Sequence, residues 1–324
     1  MKKIIAVLLC FLLAGCSEVS ETFEAMDTLM TITAYGKNAK KAVGAVKDEI
    51  LALDNMFRRK SEGSDIFKIN ENGSADVSED TAELILRSAK ISEETDGAFD
   101  ITVAPVVDLW GFYDSKFRVP EESEIQNALK SVGYKNISVN GNSVSVKNSA
   151  KLDLGGIAKG YASDRAAKIF RDFNVNGILS LGGNIYAMGK RQDGENWTVA
   201  IQNPDNDGYI GTVSVSDTAV ITSGSYQRYF ECDGKIYHHI IDPKTGSPAD
   251  SGLKSVTIVT DNGTLGDSLS TALFVMGKDR AAEYQKTHND FDMILIDNDG
   301  EVYYTEGLDG VFTPSDGIEA EILK

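Results

Sequence analysis

The sequence predicts one α+β domain with mixed, largely antiparallel sheets and flanking helices. Three observations carry this. Apolar residues in the first half recur at helical steps of three and four. The second half alternates apolar and polar residues between Asp-Gly and Gly-Gly turns. No period repeats, and no low-complexity linker divides the 324 residues. Two lobes around a cleft are one arrangement that this order allows.

The elements follow in sequence. "MDTLMTITAYG" from Met26 alternates as a strand does. From Asn38, the residues Val43, Val46, Ile50, Leu53 and Phe57 share one face, so an amphipathic helix is expected. Ser78 followed by Glu79 and Asp80 is an N-cap with acids in the first turn, and that helix runs toward Gly97. A further helix spans about Pro120 to Gly133, with Ile125, Leu129 and Val132 on one side. Asn140-Gly141 centres a hairpin. Strands then dominate: "GILSLGGNIYAMG", "WTVAIQ", "GTVSVSDTAVIT", "RYFECDGKIYHHIID", "KSVTIVT" and "FDMILIDNDGEVYYT". A single helix from about Asp267 to His288 interrupts them.

The N-terminus, residues 1–15, has the features of an export signal: Lys2 and Lys3, an apolar run from Ile4 to Leu13, then small residues. The run is short for a membrane span. "LAGC" resembles a bacterial lipobox, which implies that Cys16 carries a lipid and anchors the chain on the extracytoplasmic side of a membrane. Residues 16–25 are polar and read as a lipidated tether, leaving 26–324 as the folded domain. With Cys10 removed and Cys16 lipidated, Cys232 is alone, so no intrachain disulfide is expected. The formal charge is −17, and cleavage removes two further lysines. Such a charge argues against nucleic acid as a partner. An anionic ligand would need local compensation, for which a divalent cation is suited.

Several chemistries are disfavoured. Three histidines (His238, His239, His288) and no Cys/His cluster make a zinc site improbable. "ITSGS" lacks the nucleophile elbow of serine hydrolases. "DNDGE" at 297–301 has the start of a calcium loop but not its later ligands, and reads better as a hairpin turn. Oxygen chemistry remains. Asp267, Ser270 and Thr271 lie at i, i+3 and i+4, one helix face. They are either a hard half-shell suited to Mg²⁺ shared with a phosphate, or a simple helix cap. "DLGGIAKGYASD" (153–164) is either a ligand cradle with Lys159 nearby or a tight turn into a helix. Along the strand "YHHII", residues alternate, so His238 and His239 cannot face one site together.

Taken in order, "MDT", "ETDGAFDITVAPVVDLWGF", "DLGGIAKGYASD", "SLGGN", "WTVAIQNP", "TSGSYQRYF", "HHIIDPKTG" and "DSLSTALFVMG" resemble the ApbE family of FAD:protein FMN transferases, across nearly the whole mature chain. The resemblance implies an enzyme that cleaves the FAD pyrophosphate, attaches FMN through a phosphoester to a Thr of a target flavoprotein, and releases AMP. It implies FAD contacts at Met26, Phe57, Ala98, Phe99, Asp100, Asp153, Lys159 and Ile241. It implies Mg²⁺ ligands at Gly156, through its carbonyl, and at Asp267, Ser270 and Thr271. The family's acceptors carry a Ser/Thr-Gly-Ala-Thr segment, which this chain itself lacks. Two positions depart from the pattern: Asp27 stands where Gly is common, and Ser270 where some members have Asp. His239, beside Ile241, is the expected general base. Two other functions share these residues or part of them: Mg²⁺-dependent hydrolysis of FAD to FMN and AMP, and flavin carriage without catalysis.

Overall fold

The computed structural model describes residues 18–323. The expected signal peptide and Cys16 lie outside the described residues. The α+β class holds, and the sheets are antiparallel at every named strand pairing but one.

The chain opens with β1 (Glu18–Ala25) and β2 (Thr28–Tyr35), then α1 (Ala39–Phe57), α2 (Asp65–Asn72), β3 (Ser74–Asp76), α3 (Glu79–Glu94), α4 (Ala104–Leu109) and α5 (Glu122–Leu129). The hairpin β4 (Ile137–Asn140) and β5 (Ser143–Val146) precedes α6 (Ala158–Phe173). Next come β6 (Asn176–Leu181), β7 (Asn184–Met188), β8 (Trp197–Gln202), β9 (Tyr209–Val215), β10 (Thr218–Gly224), β11 (Tyr229–Cys232), β12 (Lys235–His238) and β13 (Leu253–Thr260). The chain finishes with α7 (Gly263–Met276), α8 (Lys278–Thr287), β14 (Asp292–Asp297), β15 (Val302–Tyr304), β16 (Phe312–Pro314) and β17 (Ala320–Ile322).

A nine-stranded sheet in the order β1-β2-β6-β7-β10-β13-β14-β15-β17 forms the backbone of the molecule. Strand alternation splits its side chains between two cores. Ala219 and Ile221 of β10 join the helix-covered core with Val43, Ile50, Ala166 and Phe170. Val220 of the same strand joins the opposite core with Val199, Val213 and Phe312 of the small sheet β16-β9-β8. A third cluster seats α7 and α8 on β13 and β14 through Leu269, Leu273, Phe274, Ala281, Val256 and Leu295. A fourth gathers Val106, Trp110, Phe112, Ile125 and Ile241 under the separate hairpin β11-β12.

Three expectations change. Most of the segment read as a tether is a strand: β1 pairs with β2 along its full length. Its Glu and Ser residues hid an alternation in which every second residue is half-buried or buried. The single helix expected over 267–288 is two helices, because Gly277 has φ +78° and ends α7 by donating its amide to Leu273 O. The helix expected over 120–133 is confined to Glu122–Leu129. The helices α2 and α4 carry too few residues to show a period.

Candidate active site

The centre of the site is the crossing of α6 and α7. Gly160 lies so close to α7 that a Cβ there would stand 2.1 Å from Gly263 O and 2.6 Å from Asp267 Cβ. Glycine is required by this approach. The first amides of a helix lack intrahelical partners. Here Gly160 N donates to Asp267 Oδ2 at 2.9 Å. Reciprocally, Asp164 of α6 accepts from Gly263 N at 2.6 Å and Thr264 N at 2.9 Å at the start of α7. Each helix therefore supplies the other's N-terminal carboxylate, where the helix dipole favours negative charge. Burial raises the Asp164 pKa, against the hydrogen bonds from Thr264 and Gly263.

Asp267 is buried, and its other oxygen accepts from Asn184 Nδ2 at 2.8 Å. Lys159, in the first turn of α6, places Nζ 4.0 Å from Asp267 Oδ1 and 3.3 Å from Gly155 O. Gly156 faces the same space: a Cβ there would lie 3.3 Å from the Phe99 ring and 3.4 Å from Thr271 Oγ1. The structure thus brings together Phe99, Gly156, Lys159, Asp267 and Thr271 from three separate stretches of sequence. Asp267 and Thr271 offer the oxygens of one carboxylate and one hydroxyl, hard donors of the kind that hold Mg²⁺ together with phosphate and water. No cluster of three or more His, Cys, Asp or Glu suited to a metal exists among the described residues. A bare protein cage is therefore not what this geometry offers.

The Ser270 hydroxyl, expected among the ligands, is engaged within the protein. It is fully buried, donates to Asp267 O at 2.8 Å, and lies 2.7 Å from Ser223 Oγ. Ser223 also stands 3.4 Å from Thr271 Oγ1. Only Thr271, half-buried, turns a hydroxyl toward Gly156. The Ser270 hydroxyl belongs to a chain of hydroxyls with Ser223 behind Thr271.

Asp153 sits on the neighbouring wall. Its Oδ1 accepts from Gly155 N at 2.8 Å, and its Oδ2 lies 3.0 Å from Arg59 Nε. Buried Arg59 also makes two bonds to Asp108, at 2.9 and 3.0 Å, and its guanidinium lies 3.9 Å from the centre of the Tyr113 ring. Phe57, buried at the end of α1, meets Tyr161 of α6 edge-on at 6.1 Å. Met26 and Asp27 form the β1–β2 turn with φ +48° and +58°. This left-handed backbone explains why glycine is common at the second position and why Asp is tolerated there. The turn abuts the Gly182-Gly183 turn: a Cβ on Gly182 would lie 2.6 Å from Thr28.

Three residues expected as FAD contacts have side chains engaged within the protein. The Asp100 carboxylate accepts from Thr102 N and Oγ1 and from Tyr134 N, so it braces its own loop. Burial raises its pKa against those bonds. Ala98 beside it is buried in the helix-covered core. The Ile241 side chain lies in the apolar cluster with Trp110 and Phe112.

The two histidines separate as strand alternation requires. His238 Nε2 lies 3.0 Å from Ala249 O, Ile240 N donates to its Nδ1 at 3.3 Å, and its ring stands edge-on to Phe274. Both nitrogens are used, so His238 is structural. His239 uses only Nδ1, 3.1 Å from Arg228 O. A carbonyl can only accept, so the proton is on Nδ1 and Nε2 keeps a free lone pair. Burial, and then the Arg228 charge, push its pKa down to about 3. The charges of His238, if protonated, and of Lys159 act in the same direction. Sequence reasoning missed Arg59, Asn184 and Ser223. Two of these lie in recognised blocks, "SLGGN" and "TSGSYQRYF", but neutral side chains gave no chemical signal there.

The fold and site define an α+β protein whose converging oxygen donors suit a divalent cation and a phosphate-bearing ligand. A profile of the ApbE family matches residues 26–295. The FAD:protein FMN transferase of Haemophilus influenzae is 31% identical over 320 positions, spanning 89% of this chain and 92% of its own. That of Salmonella typhimurium is 31% identical over 322, spanning 91% and 92%. The crystal structure of the ApbE protein from Thermotoga maritima superposes with a TM-score of 0.86 at 36% identity, covering 91% of this chain and 99% of that one. The flavin transferase ApbE from Vibrio cholerae gives 0.82 at 26% identity, covering 92% and 100%. The chain belongs to the ApbE family.

Proposed function

We propose that this chain is a Mg²⁺-dependent FAD:protein FMN transferase. The observation that carries the reading is the meeting of Gly156, Lys159, Asp267 and Thr271 at the α6–α7 crossing, in a chain whose relatives bear that name. The acceptor Thr oxygen forms a bond to the FMN phosphorus, the pyrophosphate P–O bond breaks, and AMP leaves with the electron pair. The Thr proton passes to His239 Nε2, the nitrogen that Arg228 O leaves unprotonated. Lys159 supplies positive charge beside the phosphates. Asp267, Thr271 and the Gly156 carbonyl would hold Mg²⁺, which when bound neutralises charge on the pyrophosphate oxygens. Asp153, held by Arg59, and Phe57 with Phe99 orient the flavin nucleotide.

The acceptor is a flavoprotein segment with a Ser/Thr-Gly-Ala-Thr core. The N-terminal pattern ending in Cys16 supports export and a lipid anchor on the extracytoplasmic face. The decisive experiment mixes the protein with FAD, Mg²⁺ and a peptide containing that core, then follows AMP and peptide mass. A mass gain equal to FMN on the Thr, with AMP formed only when peptide is present, is expected. AMP and free FMN formed equally without peptide would replace this reading with hydrolysis. EDTA abolishes either reaction if the oxygen set holds the metal.

A further inference from the structure

We propose that Asn184 is a positioning residue that fixes the Asp267 carboxylate for the divalent cation. This rests on the metal reading given above. Asn184 is 4% exposed, and its Nδ2 lies 2.8 Å from Asp267 Oδ1. An ionised carboxylate only accepts hydrogen bonds, so the NH₂ end of the amide must face it. Gly160 N holds the other oxygen. Each carboxylate oxygen thus receives one donor and keeps lone pairs for a cation. The two donors are neutral and add no charge to oppose a cation, unlike Lys159 at 4.0 Å.

The amide is well anchored. Asn184 is the first residue of β7 and pairs with Leu181 across the Gly182-Gly183 turn, whose φ values are +62° and +103°. Gly182 is seated against Thr28, so the turn cannot shift without moving the β1–β2 turn. The donor therefore comes from the rigid end of a central strand, the kind of support that orients a metal ligand and whose loss costs about 10–100-fold in metal affinity.

The test uses the folded chain and Mn²⁺ as the probe, measured by electron paramagnetic resonance in the presence of FAD. Wild type is titrated first; if it binds no Mn²⁺, the metal reading itself is overturned before any variant is made. Asn184→Leu and Asn184→Ala are then compared, since one fills the space and the other leaves it open. The expected result is Mn²⁺ affinity lowered about 10–100-fold, with FAD affinity in EDTA and the melting temperature close to wild type. Raising Mn²⁺ should recover most of the lost transfer rate, which a purely structural defect would not allow. Unchanged Mn²⁺ affinity in either folded variant, or a rate that added Mn²⁺ does not restore, would overturn the proposal.

Discussion

His239 shows how one carbonyl can decide chemistry. His239 Nδ1–H donates to Arg228 O, and the surroundings keep the ring neutral. Replacing it by Ala should lower the rate of FMN transfer by about 10²–10⁴, measured as kcat with an acceptor peptide. Because its folded pKa is about 3, the base stays unprotonated through the ordinary imidazole range. The kcat profile should therefore show no acid limb near pH 6.5; a limb there would remove His239 from the role. The same shift bears on stability. The unfolded chain takes up the proton as pH falls through about 6.5, while the folded ring resists until about 3. Stability is thus full above that range and declines as pH falls through it. The half-buried His238, whose pKa is also lowered, acts in the same sense. Thermal melts at stepped pH would check the sign, and His239→Gln should flatten part of the slope.

At the scale of elements, the reciprocal capping of α6 and α7 joins stability to chemistry. Asp267 is at once the cap for Gly160 N and the proposed metal ligand. Of the two readings its spacing left open, a cap on its own helix does not hold, because Asn262 caps α7; the Asp267 carboxylate instead caps the N-terminus of α6 and remains open to the proposed role of ligand. Gly160→Ala would drive a methyl group into Gly263 O and Asp267 Cβ, both backbone-anchored. The helices must separate, so a loss of about 1–3 kcal/mol is expected, together with loss of FAD-dependent AMP release. Chemical denaturation measures the first; a variant as stable as wild type would refute the close crossing.

At the scale of the whole molecule, Arg59 joins three pieces distant in sequence: the end of α1, Asp108 on α4, and Asp153 before α6. Arg59→Met should destabilise the chain by about 2 kcal/mol, less than the ~3–5 of a fully buried pair because Asp108 is partly exposed. It should also weaken FAD binding, since Asp153 loses the cation that holds it. Calorimetric melting and FAD titration read the two effects separately. Unaltered FAD affinity would show that Asp153 needs no such support.

The sequence by itself determined the class of fold, most strands, the caps such as Ser78, and the ordered blocks that mark the family. These are local: periodicity, turn glycines and capping hydroxyls act within a few residues and leave their pattern in the chain. It could not show that β1 is a strand, because exposed acids on an edge strand interrupt the hydrophobic pattern. Nor did it separate α7 from α8, since a lone glycine in an apolar helical run reads as tolerated until its φ is known. Tertiary structure alone decided which side chains face one another. Asn184 and Asp267, 83 residues apart, meet because α7 packs on β10, the neighbour of β7 in the sheet. Ser270 and Thr271 are neighbours in sequence, yet one is sealed behind Ser223 while the other opens toward Gly156. A helix turns by about 100° per residue, so only the packing of its neighbours fixes which of two adjacent hydroxyls meets the ligand.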